Sequence, residues 1–193
     1  AIGVGWYRRS FDLPALWQGR RVWLVVGGVH RSAQVWVNGR QVGEHVGYPV
    51  AFRLDITDAL LPNGPQRLVI AVDSRRDPSR DPLIGAFDII DYMDLTWGGI
   101  YERVSLEATG DCRLQDAFAI PDPERRSATL QADVAGEGAA AGLRVSYSVR
   151  RIGETGALAA GEVAVTGDGI SIPVALPTAP LWTPAQPNLL VAD

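Results

Sequence analysis

Alternation of apolar and polar residues over short stretches is the dominant pattern in this 193-residue chain. Apolar side chains occupy every second position in Arg21–Val26, in Ser32–Val37 and in residues 68–72. A period of two places these side chains on one face of an extended strand, so each stretch predicts a half-buried β-strand. Asn38-Gly39 follows the second stretch. It predicts a two-residue hairpin turn, because both residues tolerate the positive φ that such a turn requires.

The alternation lapses over residues 109–122 and then resumes. A second series occupies residues 130–134, 143–149 and 170–176, again with apolar side chains two positions apart. The sequence has no helical stripe that lasts three turns. The nearest candidate is a single turn over residues 57–61, which Thr57 or Asp58 could cap.

These patterns predict an all-β fold of two antiparallel sandwiches. We expect residues 1–109 to form the first domain and residues 110–193 to form the second. About four or five strands are visible in the second domain, where a complete seven-stranded sandwich needs more, so we expect that domain to be incomplete.

Composition excludes several classes of function. The net charge is −4, whereas binding to nucleic acid or to a membrane surface favours a cationic patch. No apolar run is long enough to span a bilayer. Cys112 is the one cysteine, so the chain can form no internal disulfide, and with two histidines it offers no metal-ligand set. We therefore predict no metal and no cofactor; the cellular compartment stays open.

Tryptophan side chains are the candidates for apolar contacts with a ligand. Trp36 lies opposite the core face of its strand, where it could stack on a sugar or pack at an interface between domains or subunits. We favour the interface. Trp6, Trp17 and Trp23 are expected to pack in the core or at an edge, and Trp182 is expected to fill the core of the second domain.

Several segments, in order along the chain, resemble glycoside hydrolase family 2, which includes β-galactosidases, β-glucuronidases and β-mannosidases. The similar segments are residues 6–11, 27–29, 35–45, 48–52, 55–58, 98–104 and 181–189. Val46 departs from the family's pattern, which often has glycine there. The resemblance implies a jelly-roll sugar-binding-like domain and then an immunoglobulin-like domain. It further implies a catalytic (β/α)₈ barrel, which is absent from this chain.

The resemblance also implies the chemistry of a retaining exo-glycosidase, whose two catalytic glutamates lie in the barrel. The acid/base glutamate of the family follows an asparagine, and this chain has no Asn-Glu pair, so we expect no catalytic residue and no activity from the chain alone. The loop before Gly98 often carries an aspartate that touches the sugar. Asp94 fits that role best and Asp91 is the second choice, with Tyr92 and Trp97 as further candidate sugar contacts. Both aspartates could instead be ordinary solvated loop residues.

Two other functions remain open at this point. The chain could be a free-standing carbohydrate-binding module that uses exposed aromatic side chains, or a structural module that forms homo-oligomer contacts. The sequence does not identify the sugar, because specificity in the family lies mostly in the barrel.

Overall fold

The computed structural model describes residues 3–47, 50–75, 77, 79, 98–136 and 142–193. The chain divides into two compact units, Ala1–Gly110 and Asp111–Asp193. Within the described ranges every regular element is a strand or a short 3₁₀ helix, so the predicted all-β class is confirmed. None of the helices in that part of the chain is long and apolar enough to cross a membrane.

The first unit contains nine strands and two 3₁₀ helices in its described part. The strands are β1 (Val4–Phe11), β2 (Arg21–Val26), β3 (Val29–His30), β4 (Ser32–Val37), β5 (Arg40–Val46), β6 (Phe52–Asp55), β7 (Gln66–Asp73), β8 (Gly99–Ile100) and β9 (Val104–Thr109). The 3₁₀ helices span Ala15–Trp17 and Thr57–Ala59. The strands form an antiparallel sheet in the order β1-β7-β4-β5, a second in the order β6-β2-β9, and a β3-β8 pair.

Burial of alternate side chains forms the core of the first unit. β2 and β4 both follow the burial pattern that their sequences predict, with every second residue fully covered. Leu24, Val35, Ile70 and Val72 are each 2% exposed or less. Full burial of one such side chain contributes about 1.5–3 kcal/mol relative to exposure, so this alternation accounts for much of the stability of the sandwich.

The turn between β4 and β5 is confirmed as a two-residue hairpin. Asn38 and Gly39 have φ values of 51° and 85°, which fits the positive φ expected of both residues. The Asn38 side chain also donates to Gln66 Oε1 at 2.7 Å and accepts from Arg67 N at 2.8 Å. The turn is therefore tied to β7 as well as to its own hairpin.

The predicted turn after β6 is present, but the predicted cap is wrong. The 3₁₀ helix begins at Thr57, and neither Thr57 nor Asp58 caps it; Asp55 Oδ1 accepts a hydrogen bond from Thr57 N at 3.0 Å. Thr57 Oγ1 instead accepts a hydrogen bond from Val22 N at 2.9 Å and donates one to Asp55 Oδ1 at 2.5 Å. The hydroxyl therefore joins β2 to the end of β6.

The second unit contains six described strands, where the sequence predicted four or five. They are β10 (Cys112–Asp122), β11 (Ser127–Gly136), β12 (Arg144–Arg151), β13 (Ala157–Ala164), β14 (Gly169–Ala175) and β15 (Leu190–Ala192). They form two sheets, in the orders β10-β11-β14 and β13-β12-β15. Val149, Ile172, Val174 and Leu176 are central to the core of this unit.

A matched pair of leucine substitutions tests the core of the first unit. We expect Leu24→Ala to lower the free energy of unfolding by about 2–5 kcal/mol, because Leu24 is 1% exposed and its truncation leaves a cavity. Leu16→Ala should change it by less than about 0.5 kcal/mol, because Leu16 is 86% exposed. Urea unfolding of both variants measures the difference. Equal effects would contradict the burial described for β2.

Candidate functional site

The four sequence-predicted sugar contacts, Asp91, Tyr92, Asp94 and Trp97, lie outside the described residues. The structure therefore does not test their roles. It does describe the residues on either side of segment 80–97, where that segment joins the first unit. We call this region the loop base and define it as His30, Arg31, Ser74 and Gly99 with Tyr7.

The loop base brings together residues that are far apart in the sequence. His30 pairs with Gly99 across the short β3-β8 ladder. Ser74, directly after β7, donates from its hydroxyl to the His30 carbonyl at 2.8 Å, and its amide donates to Gly3 O at 3.0 Å. Arg31 N donates to Asp73 O at 3.3 Å. Both sides of segment 80–97 are thus attached to the same strand, β3.

Gly99 is the position of the loop base where only glycine fits. Its φ is +90°, which is unfavourable for a residue with a side chain. A Cβ atom at Gly99 would lie 2.0 Å from the hydroxyl oxygen of Tyr7, well inside the contact distance of the two atoms. The glycine therefore allows Tyr7 to pack directly against the start of β8.

Two residues with cationic or titratable side chains are buried at the loop base. His30 and Arg31 are each 4% exposed, and both have interaction partners. A buried guanidinium is costly unless it is paired and hydrogen-bonded, which agrees with the presence of a partner for Arg31. Sequence patterning did not select these residues, because a two-residue strand is too short to show a period.

A stacked pair of indoles lies on the outer face of the first sheet. The ring centroids of Trp6 and Trp36 are 5.6 Å apart, with an angle of 26° between the ring planes. Trp6 is 67% exposed, so it does not pack in the core, but it lies on the edge strand β1, which agrees with the predicted alternative of packing at an edge; Trp36 is half-buried. Trp36 does lie opposite the core face of its strand, as the alternation predicted.

The carboxylate of Asp55, which is hydrogen-bonded to Thr57 and Arg21, is not suited to acid catalysis. Partial burial alone would raise the pKa of Asp55. Hydrogen bonds from Thr57 and the guanidinium of Arg21 outweigh that effect and hold the pKa below its ordinary value. A general acid at neutral pH needs a raised pKa instead. The described residues also contain no group of three or more side chains that could hold a metal ion.

An apolar groove of about 420 Å³ lies within the second unit. Leu130, Val149, Leu176 and Leu189 are among the residues that line it. Trp182 lies at this groove and is 58% exposed, so the prediction that it fills the core of the second domain is wrong.

Comparison with protein families matches residues 5–82 to the galactose-binding-like domain of glycosyl hydrolase family 2. A β-galactosidase of Thermoanaerobacter pseudethanolicus is 34% identical over 120 residues, which cover 62% of this chain and 16% of that protein. A β-glucuronidase of Paenibacillus borealis is 29% identical over 208 residues, which cover 97% of this chain and 32% of that protein. The chain thus spans between about a sixth and a third of the length of these relatives.

Solved structures give the same result for the fold. Bacteroides uniformis β-glucuronidase 2, covalently bound to cyclophellitol-6-carboxylate aziridine, matches 98% of this chain with a TM-score of 0.71 and 28% identity. The match covers 24% of that protein. A family 2 glycosyl hydrolase of Bacteroides cellulosilyticus matches the whole chain and 26% of its own, with a TM-score of 0.76 and 24% identity, which shows the fold alone.

The strands and these matches correspond to an all-β accessory part of a glycoside hydrolase. Residues 5–82 match the galactose-binding-like domain of glycosyl hydrolase family 2, and the chain as a whole is similar to a part of β-glucuronidases that amounts to about a quarter to a third of their length.

A glycine substitution tests the packing of the loop base. We expect Gly99→Ala to destabilise the first unit by more than about 1 kcal/mol, because the new methyl group meets the Tyr7 hydroxyl at a strained φ. Gly156→Ala is the matched control, since no atom lies within 4 Å of the added Cβ and its φ is not in the strained range. Thermal unfolding measures both variants. A Gly99→Ala variant as stable as the control would contradict the contact with Tyr7.

Proposed function

We propose that this chain is the accessory region of a retaining exo-glycosidase, in which it supports the catalytic barrel and contributes one wall of the active site. The relatives named above are β-galactosidases and β-glucuronidases, and the retaining mechanism is the one implied by family 2. In this proposal, the two catalytic glutamates belong to the barrel, and this chain contributes substrate contacts only.

The loop base is the observation that supports this role. Ser74, before segment 80–97, and Gly99, after it, are both held at His30, by the Ser74–His30 hydrogen bond and by the β3-β8 ladder. Functional side chains are often carried by loops on a rigid scaffold, because the scaffold limits where the loop can place them. We propose that Asp94, with Tyr92 and Trp97 near it, contacts the sugar from this segment, with Asp91 as the alternative aspartate.

Division into domains is part of the same proposal. The first domain would be the sugar-binding-like jelly roll of residues 1–109. The second would be the immunoglobulin-like sandwich of residues 110–193. The substitutions that test the active-site role should therefore act through the first domain and leave the second unchanged.

The chain on its own should hydrolyse no p-nitrophenyl glycoside, whichever sugar is attached. The reason is that it has no Asn-Glu pair, and the described residues form no barrel. Release of nitrophenol, followed against buffer and against an extract of cells that lack the chain, measures this. Turnover that persists at constant specific activity through re-purification would contradict the proposal.

Asp94→Ala in the full-length enzyme should lower kcat/KM about ten- to a hundredfold. A hydrogen bond to a charged group contributes about 1.5–3 kcal/mol, and about 1.4 kcal/mol corresponds to a factor of ten in rate. Asp168→Ala is the control, because Asp168 is an exposed turn aspartate of the second unit. Steady-state kinetics with the preferred nitrophenyl glycoside measure both.

The outcomes of that experiment are distinguishable. Loss of activity in Asp91→Ala with wild-type kinetics in Asp94→Ala would assign the role to the alternative aspartate. Wild-type kinetics in both variants would show that the segment makes no contact with the sugar that matters for the reaction, and would overturn the active-site part of the proposal.

A further inference from the structure

One face of the Trp6 indole is open to solvent. Trp6 lies on β1 and Trp36 on β4, and these strands flank β7 on either side. Strands two places apart in a sheet are separated by about 9–10 Å, so rings stacked at 5.6 Å must lean toward each other over β7. Since Trp36 covers one face of Trp6 and Trp6 is still 67% exposed, the other face must be open.

The position of this indole is well defined. Trp6 pairs with Ala71 across the sheet, and Trp36 pairs with Val69. Ala71 is only 6% exposed although it faces outward, because its small side chain lies beneath the aromatic pair. Because the Trp6 ring already stacks on Trp36 and lies beside Ala71, it loses little conformational freedom when a ligand binds, which favours affinity.

Arg8 gives this aromatic surface a positive charge. It is two residues after Trp6 on the same strand, so the two side chains lie on the same face with Cα atoms about 6–7 Å apart. Arg8 is exposed, and within the described part of the chain no carboxylate lies within ion-pair distance of it. Asp73 lies on the same face, and its carboxylate accepts hydrogen bonds from the guanidinium of Arg75 at 2.6–3.2 Å.

The nearest other acidic residue in this row of the sheet is distant. That residue is Glu44, which lies three strands away from Trp6, with Gln34 and Ala71 between them as cross-strand partners. Three strand spacings amount to about 14 Å. Among the residues that the structure describes, the surface around Trp6 is therefore locally cationic, although the chain as a whole has a net charge of −4.

We propose that the open face of Trp6, together with Arg8, is a binding site for a saccharide that carries a carboxylate. The apolar face of a pyranose ring can pack against an indole, and a guanidinium binds a carboxylate through two parallel hydrogen bonds. The charge of Arg8 favours a uronic acid over a neutral sugar. The site lies on the outer sheet face and does not depend on the proposed role of segment 80–97.

Isothermal titration of the chain with tetragalacturonate and with its fully methyl-esterified form tests the proposal. The ester removes the charge and retains the sugar ring. We expect the acid to bind at least fivefold more tightly than the ester. Trp6→Ala should weaken binding of the acid at least tenfold, Trp6→Phe should weaken it much less, and Arg8→Gln should abolish the preference for the acid.

Two matched substitutions serve as controls. Trp182→Ala removes an exposed indole of the second unit, and Arg67→Gln removes an exposed guanidinium further along the same sheet. Both should bind the acid within twofold of the wild type. Binding of neither saccharide, or equal binding by Trp6→Ala and the wild type, would overturn the proposal. So would a dimer that forms through Trp6, as shown by sedimentation, and leaves the saccharide unbound.

Discussion

Pairing of β7 with both β1 and β4 is the interaction on which the first unit depends. Alternate side chains of β7 enter the core, where Leu68, Ile70 and Val72 pack with the buried residues of β2 and β4. The other side chains of the same strand, Val69 and Ala71, support the two indoles on the outer face. β7 ends at Asp73, and the next residue, Ser74, ties the chain to β3. Core, aromatic surface and loop base are therefore held by one strand.

Strands with one buried face could be predicted from the sequence, because burial of one face requires a period of two. Such a period is present in β2, β4, β7, β11 and β14. The Asn38-Gly39 pair in addition predicted the hairpin between β4 and β5. β10 and β13 do not meet that condition. β10 has almost no alternation, since most of its residues are exposed and a register shift occurs between Gln115 and Phe118. β13 is built largely of alanine, which gives little contrast between its faces.

The candidate site could be predicted only in part, for a different physical reason. Sequence alternation shows that Trp36 faces away from the core, but it does not show which side chain covers it. The contact with Trp6 arises because β1, distant in sequence from β4, pairs with the opposite edge of β7. The contact between Gly99 and Tyr7 likewise joins residues that are 92 positions apart in the sequence. Such contacts follow from the order of strands in a sheet, which local patterns do not encode.

The loop base also explains how such a scaffold could serve enzymes of different sugar specificity. The Ser74–His30 hydrogen bond and the His30–Gly99 pairing involve backbone atoms on at least one side. Both contacts lie in the described part of the sandwich, so they limit where the chain leaves the first unit before residues 80–97 and returns to it after them. A fold with this property fixes where a loop begins and ends and leaves its function to the residues between.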